Sequence, residues 1–171
     1  PYSPEELPQV FEELLADPSF QAVLTNVIPG IPIEMLAAQL HQCKTNLDVQ
    51  KTFFYSLLHG IIDKHSDGFD MDTSSLNDKN RNYTFISNHR DIVLDPGFLS
   101  VGLIDNNFPT TVEIAIGDNL LIYPWIKKLV RVNKSFIVQR ALSMRQMLES
   151  SARMSRYIHF AVTEKKENVW I

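Results

Sequence analysis

An imidazole and two carboxylates fall in one stretch of this chain, where the apolar segment ending at Ser87 gives way to Asn88-His89-Arg90-Asp91 and then to Asp95-Pro96. A histidine so placed can take a proton from a hydroxyl while a carboxylate fixes its tautomer and steadies the charge that develops on the ring. That is the minimum equipment for acyl transfer to an alcohol. Asp95 is the preferred partner of His89, because it stands where a helix begins. Asp91 is its rival, because residues two apart in an extended segment point the same way. A second block, Ile116-Gly117-Asp118-Asn119-Leu120 running on to Lys134 and Arg140, supplies cations for an anionic substrate. Each of these residues also has an ordinary role open to it. Asp before Pro is a common helix cap, Arg90 can be surface charge, and Asp91 can be a polar loop residue.

The elements that must hold these groups can be read from periodicity. From Pro1 to about Ser66 the punctuation is helical. Ser3-Pro4-Glu5-Glu6 offers a cap, a first-turn proline and a capping-box acid, and Asp17-Pro18 repeats the signal. Pro29-Gly30-Ile31-Pro32 breaks the pattern. Thr45 or Asn46 then opens a helix to about Lys64, whose apolar face carries Val49, Phe53, Phe54, Leu57, Leu58, Ile61 and Ile62. Residues 66 to 82 are polar and turn-rich, so the chain is expected to divide into a helical bundle over 1–66 and an α/β domain over 67–171.

In the second part strands are expected at Tyr83–Ser87, Thr111–Ile116, Phe136–Val138 and from Asn168. Helices are expected from Asp95 to Ile104, across Asn119–Val130 with Pro124 breaking it, and from Ala141 to about Lys165. Met144, Met147 and Met154 on the last helix read as core. Alternating strands and helices predict an α/β fold, here with a mixed sheet.

Composition narrows the function classes. A formal charge of −4 and a pI near 5.7 argue against a nucleic-acid protein, so any anion site has to be local. One cysteine, Cys43, cannot form an internal disulfide, so a cytosolic setting is the default. The apolar runs fall far short of the ~20 residues of a membrane span, which leaves peripheral contact with an inner membrane face. His41, His59, His65 and His159 do not cluster with His89, and no metal site is expected.

Taken together, the two blocks resemble those of the glycerolipid acyltransferase superfamily, which includes glycerol-3-phosphate and 1-acylglycerol-3-phosphate acyltransferases. The first family motif is Asn-His-x-x-x-x-Asp. This chain has Asn88-His89 and Asp95, with one residue more between His and Asp than the family spacing. The second block follows in order as Gly117, Asn119, Leu120, Pro124, Phe136, Ile137 and Arg140. The likeness covers about Tyr83 to Ile171, and the preceding helices are similar to the N-terminal part of soluble glycerol-3-phosphate members.

The resemblance implies an O-acyltransferase of phospholipid synthesis with no bound cofactor. Acyl-coenzyme A or acyl-carrier protein would be the donor, and glycerol-3-phosphate or a lysophospholipid the acceptor. His89 would act as general base with Asp95, or Asp91, behind it, while Arg140, Lys134 and Arg90 would bind phosphate. The third family block would fall beyond Ile171, so the domain is expected to be incomplete at its C-terminus and residues 1–171 inactive by themselves. The reading from a different class is a non-catalytic lipid- or partner-binding protein on a degenerate scaffold of the same kind.

Overall fold

Capping side chains set the starts of two of the N-terminal helices, the second and the fourth, in the computed structural model, which describes residues 1–88, 90–140 and 143–171. Helix α1 spans Leu7–Leu15 and α2 spans Pro18–Val27. Asp17 Oδ1 accepts the amides of Ser19 and Phe20 at 2.9 and 3.2 Å, with Pro18 in the first turn as its fixed φ favours. Helix α3 spans Ile33–Gln42. Thr45 and Asp48 form a reciprocal capping box that opens α4, Asn46–Val49. A π-helical turn over Gln50–Phe54 follows, and α5, Tyr55–His65, continues it. The single helix expected over 47–64 therefore carries a bulge. The wider turn accompanies an inward Gln50, buried, whose Nε2 donates to Asn133 Oδ1 at 3.0 Å and whose Oε1 accepts from the Thr111 hydroxyl.

Beyond residue 82 come β1 (Thr84–Phe85), α6 (Leu94–Asp105), β2 (Val112–Gly117), a 3₁₀ turn (Asp118–Leu120), α7 (Pro124–Val132), β3 (Ser135–Val138), α8 (Met144–Thr163) and β4 (Asn168–Trp170). The strands form one sheet in the order β1-β4-β2-β3. The fold is α/β, and all three ladders are parallel. No antiparallel pair of the kind a mixed sheet contains occurs among the described residues. Parallel pairing orients all four C-terminal strand ends to one side. In open α/β sheets that is where ligands bind.

The helices before residue 66 share their core with the rest of the chain. Leu7, Phe11, Leu14, Leu40 and Val49 pack with Val132 of α7, and Trp125 and Leu129 close the cluster. On another side, Leu58 and Ile62 of α5 meet Val101 of α6. A third cluster, Leu103, Phe108, Val112, Ile114 and Trp170, joins α6 to the sheet.

Two expectations change. The carboxylate that caps the turn leading into α6 is Asp91 rather than Asp95: its Oδ1 accepts the amides of Val93, at the N-cap position, and Leu94, each at 2.8 Å. The methionines at the start of α8 are not core. Met144 and Met147 are 80% and 57% exposed. The helix leans on the sheet through its later residues, with Ala161 buried and Tyr157 against Phe136 at 4.9 Å.

Candidate active site at the strand ends

Three of the strand ends contribute to one cavity of about 650 Å³. It is lined by Ile92 from the loop before α6, Gly117 and Asn119 after β2, Arg140 after β3, and Trp170 of β4. Residues of both sequence blocks therefore meet in a single concavity. Ile92 is the residue of the first block on its wall, and Arg90 and Asp95 are not among the lining residues.

The loop leading into α6 is organised by its two carboxylates. Asp95 Oδ2 turns back to accept the amides of Arg90 and Asp91 at 2.8 and 2.9 Å, while its Oδ1 has no hydrogen-bond partner among the described residues. The Asp91 carboxylate turns the other way, into the first turn of α6. The amides of Leu94 and Val93 hold its pKa below the usual carboxylate value. Upstream, the Ser87 hydroxyl accepts from Trp170 Nε1 at 3.0 Å, tying the end of β1 to β4. His89, the proposed base, lies outside the described residues.

After β2 the backbone has to come close to two side chains. A Cβ on Gly117 would stand 2.5 Å from Asn119 Oδ1 and 3.4 Å from Arg140 Nε. Its φ of −70° suits any residue, so close approach rather than turn conformation is what calls for glycine here. Asp118 Oδ1 accepts the Arg140 amide at 3.0 Å and so ties the turn after β2 to the end of β3. The Arg140 side chain has no carboxylate partner among the described residues and lines the cavity. Arg90 is exposed.

Lys134 is in a different place. It stands immediately before β3, at the opposite end of the strand from Val138, with a φ of +60°, and is 2% exposed. Its Nζ donates to Glu167 Oε2 at 2.6 Å and to the hydroxyls of Thr110 and Thr111 at 3.0 and 3.2 Å. Burial lowers its pKa and Glu167 opposes that shift. This corrects the phosphate-binding expectation for Lys134. Its donors are taken up inside the fold, at the wrong end of the sheet.

Sequence reasoning passed over Asp118, Ile92, Met154 and Trp170 as parts of the site. Asp118 had a local signal as the acid within the Gly117–Leu120 block, but its partner is 22 residues away. The other three line the cavity through tertiary packing and carry no motif. Among the described residues, no group of three or more His, Cys, Asp or Glu side chains could hold a metal ion. No described helix is long and apolar enough to cross a membrane.

A protein-family model described as Acyltransferase matches residues 68–171, more than half of the chain. No curated protein and no solved structure matches it.

Proposed function

Since this chain belongs to the acyltransferase family, the glycerolipid acyltransferases, we propose that it moves a fatty acyl group from an acyl thioester to a hydroxyl of glycerol-3-phosphate or a lysophospholipid. The observation that carries this reading is the shared cavity. The loop bearing the His-to-Asp motif and the Gly117–Arg140 block open into the same space. A hydroxyl nucleophile and a phosphate on one small acceptor need to be held that close together.

In the proposed reaction His89 takes the proton of the acceptor hydroxyl as its oxygen attacks the thioester carbonyl. An ester C–O bond forms and the C–S bond breaks. The thiolate then receives the proton from the imidazolium, so the base is regenerated without an acyl-enzyme. Asp95 is the partner this reading favours. Each carboxylate gives one oxygen to two backbone amides, but Asp95 holds those of Arg90 and Asp91, next to residue 89 in the chain, whereas Asp91 holds those of Val93 and Leu94 on the helix side. Arg140 offers a forked cation to the acceptor phosphate, with Arg90 as a second donor at the exposed side. No resident cofactor takes part. The acyl donor is coenzyme A or carrier protein, and membrane contact is peripheral.

The test is acyl transfer by the full-length protein to glycerol-3-phosphate and to lysophosphatidate, with and without His89→Ala. Turnover that depends on His89 supports the mechanism. A variant that keeps its activity removes His89 from it.

A further inference from the structure

The two peptide groups that flank residue 89 are each held by a side chain. On the C-terminal side the Arg90 amide donates to Asp95 Oδ2 at 2.8 Å. On the N-terminal side the carbonyl of Asn88 accepts from the Ser87 hydroxyl at 3.4 Å. That hydroxyl in turn accepts from Trp170 Nε1 at 3.0 Å. A run of hydrogen bonds therefore passes from β4 through Ser87 into the peptide that leads to His89.

The Trp170 end of this run is fixed by packing. Its residue is 2% exposed and belongs to the cluster of Leu103, Phe108, Val112 and Ile114. A close-packed ring does not swing, and an indole N–H can only donate, so it aims one donor at one place. With that donor on its lone pair, the Ser87 hydroxyl directs its own proton to the Asn88 carbonyl. Strand pairing does not account for the arrangement. The amides of Val169 and Ile171 already bond the carbonyls of Tyr83 and Phe85 at 2.9 and 3.0 Å, and Ser87 is itself exposed. A general base has to reach its proton within about 2.6–3.2 Å, and rotation of either flanking peptide would carry the ring away.

We propose that Ser87 is a positioning residue for acyl transfer: steadied by the Trp170 indole, its hydroxyl fixes the peptide between residues 88 and 89 and so aims the His89 ring, as Asp95 fixes the peptide that follows. This rests on the acyl-transfer reading above. Ser87 meets no reacting atom and acts only through His89.

The experiment is steady-state acyl transfer by the full-length protein across pH, with the acceptor the parent uses, glycerol-3-phosphate or lysophosphatidate. Ser87→Ala, Ser87→Thr, Trp170→Phe, Ser87→Ala/Trp170→Phe and His89→Ala are compared with the parent. Ser87→Ala is expected to lower kcat about ten- to a hundredfold, the scale of a misplaced reacting group, with acceptor KM within about twofold and Tm nearly unchanged. Ser87→Thr keeps the hydroxyl and should recover most of the rate. A misaimed ring also loses its carboxylate partner, so the acid limb of kcat/KM should move to lower pH in Ser87→Ala. Removing the hydroxyl should cost less in the Trp170→Phe background than in the parent, because the two groups act through one bond. A Ser87→Ala enzyme with the parent's kcat would overturn the proposal. So would a loss of rate that threonine does not repair, one that follows Tm with the acid limb unmoved, or one equal in both backgrounds. His89→Ala separates this role from the reading beneath it. An active His89→Ala enzyme, or a parent that transfers no acyl group, overturns that reading, whereas an inactive His89→Ala beside an unimpaired Ser87→Ala overturns the role of Ser87 alone.

Discussion

Replacing Lys134 by methionine separates an internal ion pair from a phosphate contact. The Lys134 ammonium is almost fully buried and bonds Glu167 at 2.6 Å with two threonine hydroxyls beside it. Removing one member of a buried pair costs about 3–5 kcal/mol, chiefly because the other charge is left without a counter-ion. Glu167 keeps 21% of its side-chain surface and still accepts from the Thr110 hydroxyl, so the low end of that range, ~3 kcal/mol, is expected. For a chain of this size each kcal/mol moves Tm by about 2–4 °C, which gives a fall of about 6–12 °C. The double variant Lys134→Met/Glu167→Leu should recover most of it, since no charge is then stranded. Differential scanning calorimetry reads the stability, and titration with the phosphate-bearing acceptor well below Tm reads the site. A Lys134→Met protein with unchanged Tm and acceptor binding weakened by about tenfold or more would refute the structural assignment.

Gly117→Ala should act on the site more than on the fold. Its added carbon displaces the exposed Asn119 amide, so stability should change by less than about 1 kcal/mol while kcat/KM falls about tenfold or more, as paired denaturation and steady-state assays would read. Asp91→Ala should lower stability by about 1 kcal/mol through loss of the α6 cap and keep turnover, whereas Asp95→Ala should cut turnover about a hundredfold. The opposite pattern in thermal melts and rates would exchange their roles. Because the folded-state pKa of Asp91 is depressed, its contribution is present above the unfolded carboxylate value of about 4 and is lost as pH falls through the lower folded value. Burial and the hydrogen bond to Glu113 raise the Tyr157 pKa. The folded protein thus keeps a proton that the unfolded chain releases near pH 10, and this contribution is present below about pH 10 and lost above it. Urea unfolding of Tyr157→Phe should accordingly show a shallower decline across about pH 9–11 than the parent.

Much of the architecture was legible because its signals are local. Asp17-Pro18, the Thr45 box and the apolar face of residues 49–62 specify helices by short-range hydrogen bonds and a 3.6-residue period, and they stand where expected. The motif residues around Gly117 and Arg140 were also visible, since their spacing along the chain is what the likeness records. What periodicity could not show is which end of the sheet a residue occupies. Lys134 and Arg140 lie six positions apart around the same strand, yet one is sealed against Glu167 and the other opens into the cavity. The π turn at Gln50 was equally hidden. Its partners Thr111 and Asn133 are more than 60 residues away, and no local pattern announces a contact of that range. The methionines of α8 misled for a related reason. An apolar stripe records that a face avoids water in some context, but the sheet covers only the later part of this helix.

The order of the strands has a bearing on how the chain is made. Strand β1 is translated first of the four, but its ladder runs with β4, which is translated after the other three. Closing that pair brings together segments about 85 residues apart, the kind of distant contact that slows folding. Strands β2 and β3, joined through α7, can pair well before then, and the N-terminal helices can already be packing. On the ribosome, then, β1 waits unpaired until Trp170 arrives to take its place beside Ser87, and the wall of the cavity that β4 supplies forms after those of β2 and β3.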